Sequence, residues 1–226
     1  MKKNKKKLDQ LYDDKYFLDR NLNDPKRLKS FLVEKKFIKK FISFNKTVCD
    51  VGCSTGEFLN YLDWKGKKFG IEVNKNAIKL AKKRNFIFQK NILNKKNYFD
   101  VVIFRGTIQH VDEPFLYLKK AFYSLKKGGY LFILATPNIS SIYYRLFQNL
   151  PALDKNKNFY LPSFKNLKKI CEIYGFKFIE VNYPYFQSGY DNYVRDFFYF
   201  SLKLLGLFRN KKISFPGNMM NIVFRK

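Results

Sequence analysis

Val48-Cys49-Asp50-Val51-Gly52-Cys53-Ser54-Thr55-Gly56 decides how this chain is read. Apolar residues lead into Asp50, two glycines bracket a tight turn, and Glu57-Phe58-Leu59-Asn60-Tyr61-Leu62 follows with the pattern of a helix start. A strand that turns on glycines into a helix can cradle a nucleoside. Glycine lets the backbone come close to a ligand, and the free N–H groups of a helix start favour negative ligand groups. Glu72 closes the next strand-like run, Lys68-Phe69-Gly70-Ile71, twenty residues after Gly52. An acidic side chain at the tip of a second strand is placed to bind ribose hydroxyls.

The turn excludes two common nucleotide devices. A G-x-G-x-x-G frame set on Gly52 finds Ser54 and Glu57 where the later glycines belong, and Glu57 would repel a pyrophosphate. No Lys-Ser or Lys-Thr follows the glycines, so a P-loop is excluded as well. What remains is D-x-G-x-x-x-G with a downstream Glu. It resembles motif I of the class I S-adenosylmethionine-dependent methyltransferases. The run from Phe99 to Val111 resembles the family's fourth strand and the loop after it. Leu125-Lys126-Lys127-Gly128-Gly129-Tyr130-Leu131, continuing to Asn138, resembles its fifth-strand segment. The likeness spans roughly residues 45–138 and departs from the family at Ser54, where many members carry Gly.

The resemblance implies S-adenosylmethionine as cofactor, held by Asp50, Gly52, Cys53, Ser54, Gly56, Glu72, Asn91, Ile92 and Arg105. Glu72 would take the ribose, and Asp50 would anchor the loop or the methionine amino group. Asn91 and Ile92 follow the third strand, where the family contacts adenine. Arg105 would face the methionine carboxylate or an acidic substrate, or else lie on the surface. His110 is the single histidine, in the loop after the fourth strand. It is the candidate general base; the alternative is a wall or capping residue. The implied activity is O-methylation of a small-molecule or glycan-like acceptor, of the type found in ubiquinone biosynthesis. Nucleic acid is the rival acceptor. The D/N-P-P-Y/F of base amino-methylating enzymes is replaced here by Arg105-Gly106-Thr107-Ile108, which counts against base amino groups.

Alternating strand and helix patterns argue for an α/β chain with a parallel sheet and helices on both faces. Strands are expected at 47–51, 67–72, 86–89, 99–104, 129–135, 176–182 and 218–225, with helices near 56–63, 74–84, 114–125 and 163–174. The family likeness implies a Rossmann-like, seven-stranded sheet whose last strand is antiparallel. Residues 1–46 form a helical lid segment, with Pro25 opening a helix, and 47–226 form the catalytic domain, with lid insertions at about 139–162 and 183–217. Lid aromatics are Tyr12, Tyr16 and Phe17, and Tyr143, Tyr144 and Phe147.

Of the 226 residues, 45 are basic and 18 acidic, a net charge of +27. One reading is attraction to nucleic acid or anionic membrane. The other is the Lys-, Asn-, Ile-, Phe- and Tyr-rich coding of an A/T-rich genome, which the scatter of the lysines along the chain favours. Three cysteines supply neither a disulfide framework nor a metal site, and no apolar core follows the Lys-rich start. A cytoplasmic location is expected. The segment 196–208 is apolar nearly all round, with Arg209, Lys211 and Lys212 after it. Burial against the lid or in a homodimer is the preferred expectation, and peripheral contact with the inner face of a membrane is the other.

Overall fold

The computed structural model describes residues 24–154, 157–186 and 188–226. Tyr12, Tyr16 and Phe17 lie outside them. The sheet has seven strands: β1 (Val48–Val51), β2 (Lys68–Ile71), β3 (Phe86–Ile87), β4 (Phe99–Arg105), β5 (Leu125–Pro137), β6 (Lys177–Asn182) and β7 (Met219–Arg225). Their order is β3-β2-β1-β4-β5-β7-β6. The first five run parallel, and β7 is antiparallel to both β5 and β6. The order reverses beside β1, so the carboxyl ends of β1 and β4 open a crevice where ligands of such sheets bind.

The helices are α1 (Pro25–Lys39), α2 (Glu57–Tyr61), α3 (Lys75–Lys82), α4 (Pro114–Ser124), α5 (Ile142–Phe147), α6 (Phe164–Ile173) and α7 (Tyr193–Leu204). Their starts follow local chemistry. Asp24 caps α1 by accepting from the Lys26 N–H, with Pro25 next. Asn74, Ser141, Ser163 and Asn192 cap α3, α5, α6 and α7 in the same way. β4 is buried almost throughout, as a central parallel strand should be. One apolar cluster on one side of the sheet joins Phe99, Val102 and Phe104 to Leu118, Leu167 and Phe224. Another joins Val101, Ile103 and Phe132 to Phe31, Phe37 and Leu59.

Two helices bury faces that an apolar pattern alone does not give. In α1 the buried face carries Arg27, Phe31, Glu34, Phe37 and Ile38, while Leu32 is left exposed. The charged members of that face find partners across the site. In α7 the buried residues are Asp196 and Lys203, and the apolar Phe197, Phe198, Leu204 and Leu205 point outward. Asp196 accepts from the Tyr185 hydroxyl, the Asn192 N–H and the Arg195 guanidinium, and Lys203 donates to backbone oxygens of the 208–211 turn. Polar anchoring therefore orients α7; among the described residues Tyr199 and Phe200 pack against Tyr143, Phe147 and Phe215, while much of the remaining apolar side stays exposed. No helix among the described residues is long and apolar enough to cross a membrane.

Candidate active site

The turn after β1 is held from two sides. Gly52 and Cys53 donate their N–H groups to the Ile71 carbonyl, which ties the loop to β2. Gly52 has φ +74°, and a Cβ there would lie 2.5 Å from the Thr107 side chain, so only glycine lets the turn close against the loop after β4. Gly56 has φ +77° and its missing Cβ makes room for the Phe86 ring. Ser54, at the departure from the family's glycine, adopts φ +52° and accepts the left-handed geometry without losing the turn.

Glu72 sits as expected at the tip of β2. Its carboxylate accepts from the N–H groups of Ser54, Val73 and Asn74 at 2.7–3.1 Å. One side chain thus fixes both the glycine turn and the start of α3. Asp50 is buried, and its Oδ1 has no hydrogen-bond partner among the described residues. Burial raises its carboxyl to about 7; the Arg105 guanidinium opposes the rise and the Glu72 charge adds to it.

Asp50, Gly52, Cys53, Ser54 and Glu72 line a cavity of about 140 Å³ with Ile71, Val73, Thr107, His110, Val111 and Tyr117, whereas Gly56 packs behind the turn against Phe86 and Ala81. Two ion pairs form its rim. Arg27 of α1 meets Glu57 of α2 at 2.6 Å. Arg105 makes a two-pronged pair with Glu34 of α1 at 2.5 and 3.0 Å, its guanidinium over the Phe31 and Phe58 rings. Arg105 is therefore neither a surface residue nor a free cation: α1 has claimed its charge. Arg27, Glu34, Thr107 and Tyr117 were not singled out in the sequence. A signal for the first two existed, because positions 27, 31, 34 and 38 share one helix face with the buried Phe31.

His110 opens on this cavity. Its Nδ1 lies 3.2 Å from the Lys157 carbonyl and its Nε2 3.1 Å from the Gln109 amide nitrogen. The carbonyl can only accept, so Nδ1 carries the proton and Nε2 takes a hydrogen bond from Gln109. Burial lowers the imidazole's pKa, which keeps it neutral. Asn91 and Ile92 do not line the cavity. Asn91 is exposed ahead of a short 3-10 turn, and Ile92 is 1% exposed inside the apolar core, where its aliphatic side chain belongs.

A second cavity, of about 390 Å³, adjoins the first at Arg105 and Gly106. Its walls come from α1, the end of β5 and the two segments expected as lid insertions, including Leu150, Pro151, Pro184, Tyr185, Tyr190 and Phe215. Tyr143 and Phe147 do not line it; they pack beneath it with Phe200 and Phe215. His110 belongs to the first cavity and not to this one.

A family model described as "Methyltransferase domain" matches residues 17–181. The chain belongs to this methyltransferase family. It is 33% identical over 153 residues to the tRNA U34 carboxymethyltransferases of Helicobacter acinonychis and Helicobacter pylori. That match covers 61% of this chain and 58% of those enzymes, so the methyltransferase spans little more than half the length of the curated relatives it matches. An S-adenosylmethionine-dependent methyltransferase from Archaeoglobus fulgidus superposes with TM-score 0.64 at 20% identity, over 95% of this chain and 100% of that one. One from Thermotoga maritima, described as a possible histamine N-methyltransferase, gives 0.63 at 22%, over 94% of each. These structures share the fold. The lining of the smaller cavity suits S-adenosylmethionine: a carboxylate oxygen of Asp50 without a hydrogen-bond partner among the described residues for an ammonium, a glycine where a Cβ would intrude, and an acidic strand tip for a ribose. The relatives named here do not confirm the likeness to the ubiquinone-biosynthesis type in particular.

Proposed function

We propose that this methyltransferase binds its cofactor in the smaller cavity and methylates an oxygen of a ring-sized acceptor seated in the larger one. The observation that carries the reading is the meeting of the two cavities at Arg105 and Gly106. When bound, the cofactor supplies a methyl group on a sulfonium already activated for in-line displacement. The chain's own residues then have three tasks. Asp50 pairs with the methionine ammonium, and Glu72 accepts from the ribose hydroxyls while keeping the turn closed. The Arg105–Glu34 pair belongs to the lining where the two sites meet and would help hold the acceptor in register with the cofactor. Residues 150–152, Pro184, Tyr185, Ser188 and Tyr190 cover the acceptor and exclude water.

The charges favour a plain methyl group. Asp50, Glu57 and Glu72 face the cofactor cavity against Arg27 and Arg105, and both cations are already paired with glutamates. A carboxymethyl group would bring a further negative charge to a place with no spare cation among these residues.

Of the two roles open to His110, its hydrogen bonds support the wall. A base needs a free lone pair facing the acceptor, and Nε2 is turned to Gln109. Catalysis then rests on alignment. The test is transfer of label from methyl-labelled S-adenosylmethionine to extracted small molecules, with wild type and His110→Ala side by side. The expected result is a labelled small product and a turnover within about tenfold of wild type, below the 10²–10⁴-fold that a general base typically supplies. Loss of a rate limb lying below the ordinary imidazole value, together with a larger drop, would return His110 to the base role.

A second reading has RNA as acceptor. It is favoured by the tRNA-modifying relatives and by the net charge of +27. Label appearing in total RNA and in no small-molecule fraction would select it.

A further inference from the structure

α7 wears its apolar side outward. Val194, Phe197, Phe198, Leu204 and the C-cap Leu205 are exposed, Leu205 at 76%. At about 100° per residue these five fall on one side of the helix, and Asp196, Tyr199, Phe200 and Lys203 fall on the other. Burial against the lid accounts for the inner side alone. That side is fixed: Asp196 accepts from the Tyr185 hydroxyl, Lys203 donates to the Phe208 and Lys211 carbonyls, and Phe200 stacks on Phe215 with ring centres 4.3 Å apart. A roll that hid the outer side would break every one of these contacts. Past the helix the chain turns at Gly206, φ +83°, and leaves Leu207 and Phe208 exposed as well. Phe208 takes φ +50°, a conformation costly for a bulky side chain, and Lys203 holds it there. Arg209, Lys211 and Lys212 follow, all exposed. From 193 to 212 the one carboxylate is Asp196, which is 0% exposed. The outer side of this segment is apolar along the helix, basic at one end and without an acidic group.

We propose that α7 and the 207–212 turn form a docking surface for an anionic lipid bilayer, with the helix lying in the interface and Arg209, Lys211 and Lys212 on the headgroups. α7 has 12 residues, too few to span a bilayer and enough to lie along one. A second copy of the chain would cover the apolar residues, but it brings the same net charge of +27, and a net charge far from zero opposes self-association. Nucleic acid would answer the basic residues but not Val194, Leu204 and Leu205, because an aliphatic side chain offers a base no ring to stack on. Acyl chains beneath negative headgroups answer both. The surface also lies close to the larger cavity: Phe197 and Phe200 pack on Phe215, which lines it. Docking therefore holds that cavity near the bilayer.

The experiment is flotation of the full chain with vesicles of phosphatidylcholine alone and of an equal mixture of phosphatidylcholine and phosphatidylglycerol. Binding to the mixed vesicles should be at least about tenfold stronger, since each basic residue at an anionic surface strengthens binding by about fivefold. Val194→Asp/Leu205→Asp changes two exposed positions and should lower that binding by about tenfold or more with an unchanged circular dichroism spectrum. Phe198→Trp keeps an apolar ring at an exposed position, beside a Trp64 that is already buried, and its emission should shift to the blue when mixed vesicles are added. Wild type that does not float with the mixed vesicles overturns the proposal. So does flotation that a folded Val194→Asp/Leu205→Asp retains, which traces binding to the net charge or the Lys-rich start of the chain. An unshifted Phe198→Trp emission on vesicle-bound protein overturns it too. A lipid-free dimer that the two aspartates split, with no flotation of the wild type, gives the face to a second copy. RNA binding that they abolish while flotation is kept gives it to nucleic acid.

Discussion

The two cavities of this methyltransferase meet at Arg105 and Gly106 but are built in opposite ways. The smaller is polar and local. Most of its wall comes from three short loops at the ends of β1, β2 and β4, and backbone geometry at Gly52 and Glu72 sets its shape. The larger is mostly apolar and assembled from afar, from α1, the end of β5 and residues 150–152, 184–185, 188, 190, 214–215 and 218–219. A cofactor common to a family can be held by backbone turns that tolerate few substitutions. An acceptor particular to one member is held by side chains on segments free to change. The ion pair Arg105–Glu34 is the shared wall, and it joins the N-terminal helix to both.

Breaking that wall gives the largest expected effect. Glu34→Ala strands a guanidinium whose side chain is 15% exposed, and removing one partner of a buried pair costs about 3–5 kcal/mol. Thermal unfolding should drop by roughly 2–4 °C for each kcal/mol lost. The double variant Glu34→Leu/Arg105→Met should recover much of the stability without recovering turnover, which separates the pair's structural cost from its place between the cavities.

The next effect is confined to the polar cavity. Gly52→Val puts a branched side chain at φ +74° and within 2.5 Å of Thr107. Affinity for S-adenosylhomocysteine should fall by about a hundredfold or more, near 2.8 kcal/mol. Calorimetry beside circular dichroism checks that the loss is local. Smaller again is Glu72→Ala. It removes the expected ribose acceptor and the anchor of Ser54, Val73 and Asn74, at about 1.5–3 kcal/mol of cofactor binding, the range for hydrogen bonds to a charged group. Neither substitution should alter the larger cavity, so a ring that binds there without cofactor should be unaffected. Equal damage to both sites would mean that they are not separate.

The same contrast explains what could be read in the chain. The glycine turn, Glu72 and the seven strands follow from residues close in sequence and from the period of apolar runs, and β7 is antiparallel as the family likeness implied. Strand ends were less legible. β5 begins at Leu125 because the Lys127–Gly129 turn bulges out of the ladder and lets Leu125 pair with Phe99 before Tyr130 pairs with Val101. Arg27 and Glu34 were hidden because an apolar pattern assigns charged residues to water, whereas here each meets an opposite charge across the site. The larger cavity was hidden for a different reason. It exists only when segments far apart in the chain pack together, and no local pattern marks them as neighbours.

The central claim is that the cavity between Asp50 and Glu72 holds the cofactor by pairing its ammonium with the Asp50 carboxylate. In the free protein burial keeps that carboxyl half-protonated near pH 7. An ammonium can pair only with the ionised form, so binding must release the proton, and affinity must rise with pH through that value. Calorimetry with S-adenosylhomocysteine at pH 6 and pH 8 tests this directly. The account predicts binding about tenfold tighter at pH 8, the change expected when one proton is lost from a group titrating near 7, and an Asp50→Asn variant that binds more weakly with no such pH dependence. Affinity that is flat from pH 6 to 8 in the wild type, or a dependence that persists unchanged in Asp50→Asn, would contradict it.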